Sequence, residues 1–158
     1  MVIQSRLLAA ILALSVLSTA CASGPATKSR SKDSVGTVAA HHALNMVGTN
    51  YRYGGTHPQQ GFDCSGLVQY SYKRAGIAVP RNTKLQRKSS KAVSHVRLKK
   101  GDLLFFNQAG KRSGHVAIYV GNDKFVHAPS SGKTVRVDSL KNRYWRRHLA
   151  SARRFVFR

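Results

Sequence analysis

Asp63-Cys64-Ser65-Gly66-Leu67-Val68 is the stretch from which the rest of this chain can be read. A glycine-rich segment, Gly54-Gly55 through Gly61, leads into it. Apolar residues at helical spacing follow it, Leu67, Val68, Tyr70 and Ala75, and Gly76 closes the run. The pattern predicts a loop entering a helix with Cys64 in the first turn. Free backbone N–H groups give a helix N-terminus a partial positive charge, which eases ionisation of a thiol placed there. A thiolate is a nucleophile, so Cys64 is the candidate for covalent catalysis. From the cysteine alone, a small buried thiol or half of a disulfide is the competing reading.

The length of 158 residues suits one domain with a core of useful size. Residues 1–20 are set apart as a targeting segment. Met1 to Arg6 is a short positive region, and Leu7 to Leu17 is an apolar run too short to span a bilayer. Ser18-Thr19-Ala20-Cys21 looks like a bacterial lipoprotein signal, with Cys21 the lipidated residue, although Ser18 stands where an aliphatic residue is usual. Cleavage at the small residues with simple secretion is the alternative. Ala22, rather than Asp, after the cysteine points by analogy to the outer membrane. Residues 21–33 have the Gly, Ser, Pro and Lys content of a flexible linker. That leaves 34–158 as the folded domain. With Cys21 lipidated, Cys64 is an unpaired thiol in an exported chain; a Cys21–Cys64 disulfide is the alternative.

The net charge is +22, with no Glu and five Asp. Such a surface attracts polyanions in a salt-sensitive way. The export signal argues against nucleic acid as the partner. It leaves peptidoglycan carboxylates, lipopolysaccharide phosphates and anionic lipid. Plain solubility is the bland reading of the same charge.

Ser34 is placed to cap a helix reaching about Val47. Pro80-Arg81-Asn82-Thr83 opens a short helix or turn to about Ser90. From Val96 onward short β-rich runs take over, near 102–107, 115–120, 124–128, 134–137 and 152–157. Helices first and a small antiparallel sheet after predict an α+β domain. His115, Ala117 and Tyr119 share one strand face. A three-residue Gly121-Asn122-Asp123 loop would set His127 opposite Ala117, on the face of His115; a two-residue turn would put the histidines on opposite faces.

A nucleophilic cysteine needs a base, and the base needs a group that holds its tautomer. His115 is the expected base and His127 its orienter. His41, His42, His57, His95 and His148 are read as surface or packing residues. Zinc held by Cys64, His115 and His127 is a weaker reading, because no closely spaced ligand pair is present; no metal or cofactor is expected.

These stretches together resemble the NlpC/P60 cysteine peptidases from about Ser34 to Phe157. The matching segments are Tyr51-Arg-Tyr-Gly-Gly55, Asp63-Cys-Ser-Gly-Leu-Val68, Pro80-Arg81 with Thr83 and Gln86, Lys100-Gly-Asp-Leu-Leu-Phe-Phe106, Gly114-His-Val-Ala-Ile-Tyr-Val-Gly121 and Phe125-Val-His-Ala128. Tyr144-Trp145 and Ala152-Arg-Arg154 fit the closing segment. The resemblance is greatest to small outer-membrane murein endopeptidase lipoproteins of Gram-negative bacteria. It implies a papain-like α+β domain, with the nucleophile helix packed on a small curved antiparallel sheet. By that resemblance Cys64 is the nucleophile, His115 the general base and His127 the third member. Tyr51 turns its hydroxyl toward the nucleophile and supports the oxyanion, and Tyr53 is expected to pack. Asp63, Ser65 and Arg81 line the substrate groove, with a helix cap the alternative for Asp63 and plain surface charge the alternative for Arg81. Asp102 is a turn residue. Residues 56–60, about one residue longer than in relatives, are expected beside the groove.

The implied activity is hydrolysis of peptidoglycan peptides, with the D-Ala–diaminopimelate cross-link favoured over the D-Glu–diaminopimelate bond. The implied setting is a monomer anchored to the outer membrane by lipid on Cys21, facing the periplasm. A soluble secreted or periplasmic form is the alternative. A non-hydrolytic wall-binding or regulatory lipoprotein, a bacteriolytic effector and, more remotely, a nucleic-acid binder are the competing functions.

Overall fold

A computed structural model describes residues 34–157 apart from Ala109, Gly110 and the side chains of 111–113. The expected targeting segment, Cys21 and the expected linker lie outside the described residues. In chain order the elements are α1 (Val35–Leu44), β1 (Thr56–His57), β2 (Gly61–Phe62), α2 (Cys64–Arg74), α3 (Thr83–Lys88), β3 (Lys91–Val93), β4 (Leu103–Gln108), β5 (Lys111–Gly121), β6 (Lys124–His127), β7 (Arg136–Ser139), α4 (Arg143–His148) and β8 (Leu149–Arg154). Strands β1 and β2 form a small hairpin, and the other six form one antiparallel sheet in the order β3-β8-β4-β5-β6-β7. This is the expected α+β fold.

Each helix begins where a side chain satisfies its free N–H groups. Ser34 Oγ accepts from Thr37 N–H at 3.3 Å, Asn82 Oδ1 from Leu85 N–H at 2.9 Å and Asn142 Oδ1 from Tyr144 N–H at 2.8 Å. Strand alternation sorts the core onto two faces of the sheet. Leu103, Phe105, Val116, Ile118 and Val126 face α1 and α2, meeting Ala39, Ala43, Leu67, Val68 and Tyr72. Leu104, Phe106, Ala117, Tyr119 and Phe125 fill the opposite face beneath Trp145 of α4. Burying each large apolar side chain contributes about 1.5–3 kcal/mol.

Several segments depart from the sequence expectation: β1, β2 and β3 are strands where none is expected, and β7 spans Arg136–Ser139 against the expected 134–137. The last strand runs from Leu149 to Arg154, earlier than the expected 152–157, and α4 precedes it. Neither shows in the sequence, because α4 has only six residues and β8 lacks β-branched side chains. Pairing with β3 on one side and β4 on the other places β8. The Lys124 hairpin also differs. Gly121 pairs with Lys124 across a two-residue Asn122-Asp123 turn, with φ of 53° and 57°. Those left-handed values suit Asn and Asp in a type I′ turn. Tyr119 nevertheless pairs with Phe125, so Val120 is an extra, bulged residue. The bulge restores the facing that an odd loop would have given.

Helix α2 docks with its first turn against the glycine-rich loop. A Cβ on Gly66 would fall 1.9 Å from the Gly55 carbonyl oxygen, which is backbone and cannot step aside. Gly66→Ala should therefore cost stability at the upper end of the range for overpacking, about 3 kcal/mol. Urea unfolding of the two proteins measures this; an unchanged midpoint would refute the contact.

Candidate active site

The nucleophile candidate is the first residue of α2 and carries a free thiol. Asp63 is the N-cap. Its Oδ1 accepts from Gly66 N–H at 2.6 Å, and its Oδ2 accepts from Gly54 N–H at 3.0 Å. Arg81 closes on the same carboxylate with two bonds of 3.0 and 2.7 Å, and donates to Ser65 Oγ at 2.9 Å. Asp63 thus caps the helix and pairs with Arg81, and both still line the cleft. Gln86 ties α3 to this corner, donating to the Ser65 carbonyl at 2.9 Å and the Pro80 carbonyl at 2.8 Å.

The two histidines meet on the sheet as the facing argument requires. His115 Nε2 and His127 Nδ1 are 2.8 Å apart, and both residues are buried. The line continues to a residue that sequence reasoning passed over. His127 Nε2 lies 2.9 Å from Asp138 Oδ2. Arg136 donates to the same oxygen at 3.1 and 2.9 Å, and the Trp145 indole N–H at 3.1 Å. The available signal was the alternation in β7: Arg136 and Asp138 share a face, and Arg136 pairs with His127.

Hydrogen-bond valence orders this line. A carboxylate only accepts, so His127 Nε2 donates to Asp138 and a neutral His127 keeps Nδ1 as acceptor. His115 Nε2 then donates to His127, which leaves His115 Nδ1 unprotonated. His115 and Cys64 line one cavity of about 310 Å³, with Tyr51 and Gly114. Tyr51, Cys64 and Gly114 also line a second cleft of about 750 Å³, together with Asp63, Ser65 and Arg81.

Electrostatics revises one expectation. Burial pushes the Cys64 thiol above its ordinary range; N–H groups of Val116 and Ser65 and the Thr83 hydroxyl oppose this, and the Asp63 charge adds to it. The helix terminus eases ionisation but desolvation outweighs it. His115 is held below the ordinary value of 6.5 by burial and by its partner imidazole. His127 is also lowered by burial, against the pull of Asp138. The free site holds a neutral thiol and neutral imidazoles.

Tyr51 is fixed through its N–H to the Lys133 carbonyl at 2.8 Å. Tyr53, expected to pack, is 88 % exposed on the cleft wall, because the turn before Gly54 directs it outward. Asp102 is more than a turn residue: it accepts from Lys99 N–H at 2.8 Å and forms a buried pair with Arg154 at 2.6 and 2.7 Å. Residues 56–60 do not line the cleft; His57 packs edge-on against Tyr70.

Residues 48–154 match the NlpC/P60 family. This chain belongs to that family. It is 41% identical over 123 residues to Murein DD-endopeptidase MepH of Escherichia coli, covering 75% of this chain and 45% of that protein. It is 44% identical over 111 residues to Bifunctional muramidase/DL-endopeptidase CwlT of Bacillus subtilis, covering 69% of this chain and 33% of that one. The chain thus spans half or less of these two curated relatives. It covers 98% of the NlpC/p60 domain of peptidoglycan hydrolase SagA, with 76% of this chain aligned, 33% identity and a TM-score of 0.65.

The buried neutral histidines carry a stability signature. In the unfolded chain they take up protons as pH falls below 6.5, whereas the folded values lie lower. The unfolded state then binds more protons, so stability falls with falling pH. The slope is up to about 1.4 kcal/mol per pH unit for each histidine. Urea unfolding at several pH values below 6.5 should show it, with a shallower slope in His127→Gln. Equal slopes would contradict the neutral assignment.

Proposed function

We propose that this domain hydrolyses amide bonds in peptidoglycan peptides by cysteine nucleophilic catalysis. The observation that carries the reading is the line His115–His127–Asp138, which leaves Nδ1 of His115 unprotonated in a residue that lines one cavity with Cys64. In this mechanism His115 Nδ1 takes the Cys64 proton as Sγ attacks the substrate carbonyl carbon. The Cys64 backbone N–H and the Tyr51 hydroxyl stabilise the oxyanion. The tetrahedral intermediate collapses, the C–N bond breaks, and protonated His115 gives its proton to the leaving amine. Water, deprotonated by His115, then hydrolyses the thioester and restores the thiol. Asp63, Ser65 and Arg81 line the acyl side of the cleft.

The bond assigned is the D-Ala–diaminopimelate cross-link, in keeping with the named activity of the relative MepH. The setting assigned is the cell envelope, with the domain tethered to the outer membrane through lipid on Cys21.

Digestion of purified sacculi, with soluble products weighed by mass spectrometry, tests the reading. The wild-type chain should release peptides whose masses name the bond, and Cys64→Ala should release none. Silence of the wild type under reducing conditions would end the hydrolase reading.

Asp138 acts as a positioning residue in this scheme. Asp138→Ala should lower kcat about 10–100-fold with little change in KM, the scale for carboxylates that orient metal-bound histidines. Nitrogen-15 spectra of the histidines should then show His115 and His127 leaving their single tautomers. A loss of Tm with intact tautomers and kcat would make Asp138 merely structural.

A further inference from the structure

The cleft does not end at His115. The cavity that holds Cys64 and His115 shares Gln108, Pro129 and Ser130 with a third recess of about 300 Å³. Lys133, Arg136 and Asn142 also line that recess. Its direction relative to the chemistry follows from the role proposed for His115. A general acid must stand beside the leaving nitrogen, and His115 lines this cavity but not the Asp63–Arg81 cleft. The recess therefore receives the leaving-group segment of a substrate.

Its charge is positive. Arg136 is engaged by Asp138 at 2.9 Å, a pair of no net charge. The Lys133 side chain forms no ion pair with a described residue. Its backbone is anchored, because the Lys133 carbonyl accepts from Tyr51 N–H at 2.8 Å. The Lys133 charge is close enough to contribute to lowering His127. A cation thus stands beside the relay on the leaving-group side.

We propose that Lys133 forms a carboxylate subsite for the leaving segment and selects peptides whose leaving amine sits on a carbon bearing a free carboxylate. This rests on the hydrolase reading above and deepens it. In a cross-link between D-Ala and the D-centre of diaminopimelate, the nitrogen released is attached to such a carbon. In the D-Glu–diaminopimelate bond, the carbon next to the nitrogen carries the amide that continues the stem. A cation here therefore distinguishes the two bonds. An ammonium on a flexible stem suits a carboxylate whose position shifts as the tetrahedral intermediate collapses.

Two synthetic cross-link peptides test the proposal with the full chain. One carries the carboxylate beside the leaving nitrogen, and the other has it as a carboxamide. The wild type should show about tenfold higher kcat/KM on the carboxylate peptide, the scale of one hydrogen bond to a charged group. Lys133→Gln should remove that preference and Lys133→Arg should restore most of it. Lys133 is exposed, and its carbonyl contact does not depend on the side chain, so both variants keep the fold. Equal wild-type rates on the two peptides, or an equal loss on both in Lys133→Gln, would overturn the subsite while leaving the hydrolase standing. Cleavage of neither peptide, with sacculi also untouched, would overturn the hydrolase and the subsite together.

Discussion

The site depends on one contact, the 2.8 Å approach of His115 Nε2 to His127 Nδ1 on a buried sheet face. Two imidazoles in that position must agree on which nitrogen carries hydrogen, and both are buried. Asp138 settles the matter from one end, because a carboxylate cannot donate. Trp145 packs edge-on to His127 at 4.9 Å and near-parallel to His115 at 6.0 Å, so the line is closed from above as well. The helix carrying Trp145 follows directly on the strand carrying Asp138, and the two are joined by the indole hydrogen bond.

Much of this was legible in the chain. The Asp63-Cys64 helix start, the α+β order and the shared face of His115 and His127 all follow from local signals. His115 and His127 share the expected face, but through a different hairpin. Sequence parity counts residues, and a bulge changes the count without changing composition, so Val120 gave no warning. Asp138 was hidden for a related reason. Its role depends on the register between β6 and β7, which the sequence of neither strand specifies alone. Helix α4 and strand β8 were obscured because tertiary pairing, not propensity, places them.

The charge has a structural side. Among the described residues the carboxylates are Asp63, Asp102, Asp123 and Asp138. Arg81 holds the first, Arg154 the second and Arg136 the last, so only Asp123 stands outside an arginine pair, in an exposed turn. The acids of this domain organise its interior and its site. The remaining lysines and arginines have almost no acidic neighbours to screen them. The result is a surface whose attraction for polyanions is general and falls with salt.

That surface and the buried site oppose each other in a useful way. Burial holds the Cys64 thiol and the two imidazoles neutral, which favours tight packing over a standing ion pair. A neutral thiol is a poor nucleophile, so in the proposed mechanism its proton moves as the carbonyl arrives. The two groups of that transfer line one cavity. The accepting nitrogen is fixed by the line to Asp138, and the N–H groups of Val116 and Ser65 already lie against the sulfur. In the proposed mechanism the charge separation created on attack would fall between a helix N-terminus and a carboxylate-backed imidazole.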